Sequence, residues 1–271
     1  CESIYQALML GLRDYVTKNR FPGVVLGLSG GIDSALAAAL AADALGPEKV
    51  HCAMMPSPYT SQESLDDAAA VAKLLGVRLD NISIEPAMDA YAAMLKSTFA
   101  GSNADITEEN LQSRARGMTL MAISNKFGKM VLSTGNKSEM STGYATLYGD
   151  MCGGFDVLKD VYKTDVFAVS RWRNAYKPAG ALGPSGPVMP ERVITKPPTA
   201  ELKPNQTDQD TLPPYDMLDA TLKGLSQDHA GIAAVAARGF DPATVARVYK
   251  MLTRAEYKRR QASPGVKITH R

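Results

Sequence analysis

"VVLGLSGGIDSALAAALAADAL", residues 24–45, decides how this chain folds. Val24 to Leu28 is an unbroken apolar run of strand length. Ser34 to Leu45 is an alanine-rich stretch that reads as a helix, stopped by Gly46-Pro47. Between them stand Ser29-Gly30-Gly31-Ile32-Asp33-Ser34. A glycine turn leading a strand into a helix start leaves backbone N–H groups unpaired, and these suit a phosphate. Asp33 in the same turn works against that, because a carboxylate repels a phosphate unless a cation stands between them. The six residues do not form a Walker loop, whose G-x-x-x-x-G-K-S/T pattern occurs nowhere in the chain. They also lack the G-x-G-x-x-G spacing of dinucleotide turns.

Outward from this stretch, strands and helices alternate. Ile4, Leu8, Leu12 and Val16 make one apolar stripe on a helix that Phe21-Pro22-Gly23 ends. Strands are expected at 50–55, 79–84 and 130–134, and helices at 61–75, 85–99 and about 107–127. Continuous apolar strands alternating with helices predict a doubly wound α/β fold, Rossmann-like, with a parallel sheet covered on both faces. From Lys177 to Pro214 the character changes, since nine of the sixteen prolines fall there. A stretch this long without periodicity reads as a functional, mobile lid. Beyond it, 215–225, 228–238 and 242–260 read as a helical tail, with Asp228 and Asp241 as caps. The 271 residues thus form one α/β core with a helical tail rather than two domains.

Composition narrows the function. A net charge of +2 with scattered basic residues, apart from Lys258-Arg259-Arg260, leaves no footprint for nucleic acid or an acidic membrane. No apolar run reaches membrane-spanning length and no signal peptide is visible. Cys1, Cys52 and Cys152 are three, far apart and without a C-x-x-C, which argues against disulfides or zinc and for a reducing cytoplasm. Because the chain begins at Cys1 already inside a helical pattern, it reads as a piece of a longer protein.

The hexapeptide SGGIDS, after a strand and before a helix, resembles the pyrophosphate loop of the N-type ATP pyrophosphatases. A second run, "STGNKSEMSTGYATLYGDMCGGFDVLKDVYKTDVF" (133–167), follows the fourth strand and carries Glu139, Asp150, Asp156 and Lys163. With "ENLQSRARG" (109–117), "KPPTAELKPNQTDQDTLPPYDMLD" (196–219) and "EYKRRQASPGVKI" (256–268), it resembles the NAD⁺ synthetase family collinearly over nearly the whole chain. The likeness is greatest to the synthetase domain of the glutamine-dependent members.

The resemblance implies ATP-dependent amidation of deamido-NAD⁺ to NAD⁺ through an acyl-adenylate, with release of AMP and pyrophosphate. It implies Mg²⁺ on Asp33 and Glu139, and pyrophosphate on Ser29, Gly30, Gly31 and Ser34. Thr134 would contact the nucleotide, Lys163 the triphosphate, and Thr199 the phosphates from the lid. Asp150 and Asp156 would hold deamido-NAD⁺, supported by Asn110, Arg114 and Lys258. It further implies ammonia as co-substrate, a homodimer, and a glutaminase domain in the natural protein that has no counterpart in these residues. The family's ammonia-dependent members carry an arginine on the strand before the proline at 56, where this chain has Met54 and Met55.

Plainer readings stand beside these. Glu139 also reads as an acid at a helix start, Lys163 as a solvated lysine and Asp150 as a turn residue. Arg114 and Arg116 also read as surface or ion-pair residues of one helix, and Lys258 as part of a solvated basic run. His51, His229 and His270 read as structural. Two further functions stay open: another N-type pyrophosphatase, GMP synthetase-like or tRNA-modifying, and a non-catalytic adenine nucleotide-binding module. The lack of paired cysteines and the weak basic balance count against the tRNA enzymes, and the intact loop and acids count against the module.

Overall fold

Residues 1–269 are described by a computed structural model; His270 lies outside the described residues. Five strands, β1 (Val24–Gly27), β2 (Val50–Met54), β3 (Arg78–Asn81), β4 (Met130–Ser133) and β5 (Phe155–Asp156), form a parallel sheet in the order β3-β2-β1-β4-β5. The helices are α1 (Glu2–Lys18), α2 (Ile32–Leu45), α3 (Gln62–Leu75), α4 (Glu85–Leu95), α5 (Ile106–Phe127), α6 (Lys137–Thr142), α7 (Lys163–Ala175), α8 (Glu191–Thr195), α9 (Tyr215–Ser226), α10 (Ile232–Ala236), α11 (Pro242–Arg254) and α12 (Glu256–Arg259). This is the doubly wound α/β architecture that the alternation predicts. No helix among the described residues is long and apolar enough to cross a membrane.

The two-residue pleat sorts the strand side chains between two layers. Val24, Leu26, Val50, Cys52 and Leu132 bury against α1, α2, α3 and α7. Val25, Ala53 and Val131 face the other way, onto Ile84 ahead of α4 and onto Ala115 and Leu120 of α5. A third cluster, Tyr162, Leu212, Tyr215, Leu218, Leu222 and Val248, seats the helical tail on the end of the sheet.

Helix α2 is apolar all round and buried from Ser34 to Leu45, as a helix walled on every side must be. It runs in the same direction as α7, and two ion pairs join them. Lys163 Nζ stands 2.5 Å from Asp33 Oδ2, and Arg173 Nε 2.6 Å from Asp43 Oδ2. Ten residues, about 15 Å of helix, separate the members of the two pairs on each helix. The second pair is wholly buried. Asp43 also accepts from Tyr5 Oη at 2.6 Å, and Arg173 donates to Pro184 O and Gly186 O. Polar groups this deep persist only because each finds a partner.

Several expectations are corrected. The third strand stops at Asn81, because beyond it the chain peels away from β2 with single bonds from Ile82 N to Met54 O and Ile84 N to Pro56 O. The helix expected to reach Phe99 ends at Leu95. Strand β5 and helices α6 and α7 lie in the polar, glycine-rich run that shows no clear period. Asp241 caps α11 by accepting from Thr244 N at 2.8 Å. Asp228 caps nothing: α10 starts only at Ile232, and Asp228 pairs with Arg238 instead. The long final helix breaks at Ala255 into α11 and α12.

Candidate active site

Strand β1 has β2 on one side and β4 on the other, so the connections leave in opposite directions and a crevice opens at their carboxyl ends. A cleft of about 300 Å³ lies there. Its floor is apolar, from Gly27, Ala53, Met55 and Leu120, and its rim is polar.

The glycine turn forms one wall. Gly30 has φ +83°, and a methyl group on it would strike Ser64 O of α3, so only glycine fits there. The two serines bind each other and the turn: Ser29 N donates to Ser34 Oγ at 3.2 Å, Ser34 Oγ to Gly31 O at 3.0 Å, and Gly31 N to Ser29 Oγ at 3.2 Å. Gly31 caps α2 without a side-chain bond, which leaves the first helical N–H groups turned to the cleft.

Opposite stands the end of β4. Asn136 is fully buried and does two things: its Oδ1 caps α6 by accepting from Glu139 N at 3.0 Å, and its Nδ2 donates to Asp33 Oδ1 at 2.9 Å. The other oxygen of Asp33 takes Lys163 Nζ, which also lies 3.2 Å from Glu139 Oε1. Lys163 is placed by two neighbours. Ser138 Oγ accepts from its backbone N–H at 2.9 Å, and Asp219 of α9 caps α7 by accepting from Thr164 N at 2.9 Å. Burial disfavours the Lys163 ammonium, but Asp33 and Glu139 outweigh it and raise its pKa. Burial pushes the Glu139 carboxyl upward against the pull of Lys163.

A second wall is the turn 143–152, braced from behind. Ser113 of α5 accepts from Asp150 N at 2.9 Å and donates to Asp150 Oδ2 at 3.2 Å. Thr146 donates to Asn110 Oδ1, Arg114 Nε to Leu147 O, and Lys258 Nζ to Gly143 O and Ala145 O. The roof is the stretch from Val193 to Asp208. Lys196 pairs with Asp67 of α3 at 2.8 Å, Glu201 accepts from Ser61 and Ser64, and Gln112 of α5 donates to Leu202 O. The first half of the proline-rich stretch instead packs as core, with Val188 and Met189 buried.

The structure therefore brings together Ser29, Gly31, Asp33, Ser34, Thr134, Glu139, Asp150, Lys163 and Thr199 around one cleft. Gly30 backs the turn. Asn110, Arg114 and Lys258 brace the 143–152 turn, and Asp156 lies buried beneath Gly135. Sequence reasoning missed Asn136, Glu201 and Asp208, the last a buried lining residue that accepts from Tyr215 Oη at 2.6 Å. Asn136 does carry a signal, an amide three residues before a glutamate at a helix start. Asp208 carries none. Met54 and Met55 sit at the end of β2, where Arg116 Nε donates to Met55 O at 3.0 Å.

Among the described residues five carboxylates and three cations line the cleft, an excess of negative charge that would repel a polyphosphate unaided. Two of the carboxylates, Asp33 and Glu139, converge on the Lys163 ammonium. Among the described residues no group of three or more His, Cys, Asp or Glu side chains forms a metal cage. That donor set fits Mg²⁺, which is held by one or two carboxylates together with substrate phosphates.

Comparison with known proteins agrees with this geometry. A family model described as NAD synthase matches residues 4–262. The glutamine-dependent NAD(+) synthetase of Rhodobacter capsulatus is 55% identical over 270 residues, all of this chain and 49% of that protein. The one of Thermotoga maritima is 53% identical over 270 residues, again all of this chain and 46% of that protein. A solved glutamine-dependent NAD+ synthetase from Acinetobacter baumannii, in complex with adenosine diphosphate, superposes with a TM-score of 0.68 at 50% identity, covering 99% of this chain and 47% of that one. The chain spans about half the length of the curated relatives it matches. With the family model covering nearly all of it and relatives above 50% identity along its whole length, the chain belongs to the NAD synthase family.

Proposed function

We propose that this chain amidates deamido-NAD⁺ to NAD⁺ at the expense of ATP. The observation that carries the reading is the glycine turn at the switch point of the sheet, with Asp33, Glu139 and Lys163 meeting beside it. In the first step an oxygen of the nicotinate carboxylate attacks the α-phosphorus of ATP and the bond to the β-phosphate oxygen breaks, giving an acyl-adenylate and pyrophosphate. In the second, ammonia attacks the acyl carbon, AMP leaves with the bonding pair, and the nitrogen loses a proton to give the amide.

No side chain need act as a nucleophile, so the residues contribute position and charge. Ser29, Gly30, Gly31, Ser34 and the open N–H groups of α2 hold the departing pyrophosphate. Lys163 shifts its ammonium from the two carboxylates to the phosphates as charge develops on them. Thr134 and Thr199 approach the nucleotide from the β4 end and from the roof. Asp150 makes the dinucleotide side, with Asn110, Arg114 and Lys258 holding the 143–152 turn that carries it and Asp156 backing Gly135 from beneath. Asp33 and Glu139 would hold Mg²⁺, which would supply the charge neutralisation that lets carboxylates and phosphates share the cleft. The cleft-lining part of the proline-rich stretch, from Val193 to Asp208, serves as the lid.

Ammonia comes from a glutaminase domain of the natural protein or from free ammonium. The chain works as a homodimer, and the exposed apolar side chains Met94, Ile106 and Met118 on α4 and α5 support this. The three free thiols support a cytoplasmic setting. Incubation with ATP, Mg²⁺, ammonium and deamido-NAD⁺ should release pyrophosphate well above a control without the dinucleotide. Equal release in both removes the reading.

A further inference from the structure

Among the described residues three cations line the cleft, and they differ in how they are neutralised. Lys163 is tied to Asp33 and Glu139, and Lys196 to Asp67. Arg116, on α5 one turn beyond Ser113, has no carboxylate within ion-pair distance among the described residues. Its one hydrogen bond there is from Nε to Met55 O, at 3.0 Å. A guanidinium has five N–H donors, so both terminal nitrogens of this cleft-lining side chain are without a protein acceptor among the described residues.

The nearby acids are committed elsewhere. Asp150 accepts from Thr146 N at 2.8 Å and from Ser113 Oγ at 3.2 Å. Glu201 accepts from Ser61 Oγ at 2.7 Å and Ser64 Oγ at 2.9 Å. A half-buried guanidinium whose partners are all bound to others is costly unless an anion from outside completes it. Its planar fork suits two oxygens of one phosphate or carboxylate. Its anchor just past the carboxyl end of β2 places it in the lining of the same cleft as Met55 and Leu120 of the apolar floor and Ser29, Gly31 and Asp33 of the glycine turn.

We infer that Arg116 is a further substrate-binding residue, whose guanidinium takes a phosphate oxyanion of the bound nucleotide in the adenylate-forming site. This rests on the amidation reading given above. ATP is the expected source of the phosphate, and deamido-NAD⁺ carries the same chemistry. The Nε bond to Met55 O fixes the side chain so that the two Nη groups meet the ligand without further ordering. Burial draws the Arg116 pKa below the usual arginine value, and the charges of Glu201 and Asp150 oppose the fall.

The test is equilibrium titration of the chain and of its Arg116→Met and Arg116→Lys variants with Mg²⁺–ATP alone and with deamido-NAD⁺ alone, alongside thermal melts. Arg116→Met should weaken Mg²⁺–ATP binding about 10- to 100-fold and leave deamido-NAD⁺ binding within about threefold. Arg116→Lys should fall between, since it keeps the charge and loses the fork. Selective weakening of deamido-NAD⁺ binding instead would support the oxyanion site with the dinucleotide as its source. Unchanged affinity for both ligands overturns the inference. Equal loss for both together with a lowered melting temperature also overturns it, because that marks a purely structural role. If the unaltered chain binds both ligands and releases pyrophosphate while Arg116→Met matches it, the inference alone fails. If the unaltered chain binds neither, the amidation reading fails and takes this one with it.

Discussion

Lys163 Nζ stands 2.5 Å from Asp33 Oδ2 and 3.2 Å from Glu139 Oε1, so one ammonium holds together two carboxylates that would otherwise repel each other. Lys163→Gln removes both that restraint and the charge offered to the phosphates. Pyrophosphate release should fall by about a hundred- to a thousandfold, the usual consequence of deleting one donor aimed at developing charge. Steady-state assay of the variant at saturating ATP checks this; a drop below tenfold contradicts the role.

Asp33→Asn separates metal binding from folding. An asparagine oxygen can still accept from Asn136 Nδ2, which now donates to Asp33 Oδ1 at 2.9 Å, so the junction of the two loops survives. Turnover should drop by about a hundredfold or more and Mg²⁺ should no longer restore it, while the melting temperature stays within a few degrees. A Mg²⁺ titration beside a thermal melt reads both; unchanged activity refutes the assignment.

Asp43→Asn strikes the buried network instead. It leaves Arg173 and Tyr5 with a neutral partner in a place no water reaches. Breaking one side of a buried ion pair costs about 3–5 kcal/mol, and denaturant midpoints should shift accordingly. A shift of less than about 1 kcal/mol would mean that the pair contributes little.

Asp156 predicts a pH dependence of stability. Burial pushes its carboxyl from 3.8 up to about 8, despite hydrogen bonding from Leu158 N. The folded state therefore holds a proton between about pH 4 and 8 that the unfolded chain has already lost. The stability this contributes is complete below pH 4 and falls as pH rises toward 8, by at most about 1.4 kcal/mol per unit. Asp156→Asn should flatten that slope. Denaturation midpoints of both proteins at pH 5 and pH 8 show whether it does; parallel curves would exclude the effect.

The parts of the fold that show in the sequence are those whose burial has a period. Val24 to Leu28, the stripe of Ile4, Leu8, Leu12 and Val16, and the alanines of α2 each expose their environment through residue type. Helix α7 hides because two of its buried positions are Lys163 and Arg173, polar residues that look solvated until their partners are placed. Strand β5 hides because two residues cannot alternate. At the site, the glycine turn and Glu139 are legible from local pattern and resemblance. Arg116 and Asp208 are not, since each draws its meaning from what the fold carries up to it: Met55 O for the first and Tyr215 for the second.

The two ion pairs that join α2 to α7 have unequal fates. The Arg173–Asp43 pair is sealed and has nothing to exchange with, so it works as a fixed pin. The Lys163–Asp33 pair opens on the cleft and can be undone whenever a phosphate competes for the ammonium. Undoing it would normally let two parallel rods slide past each other. With the pin about 15 Å away keeping register, opening of the outer rung would leave the glycine turn at the head of α2 where it was, as a latch lifts without shifting a hinged gate.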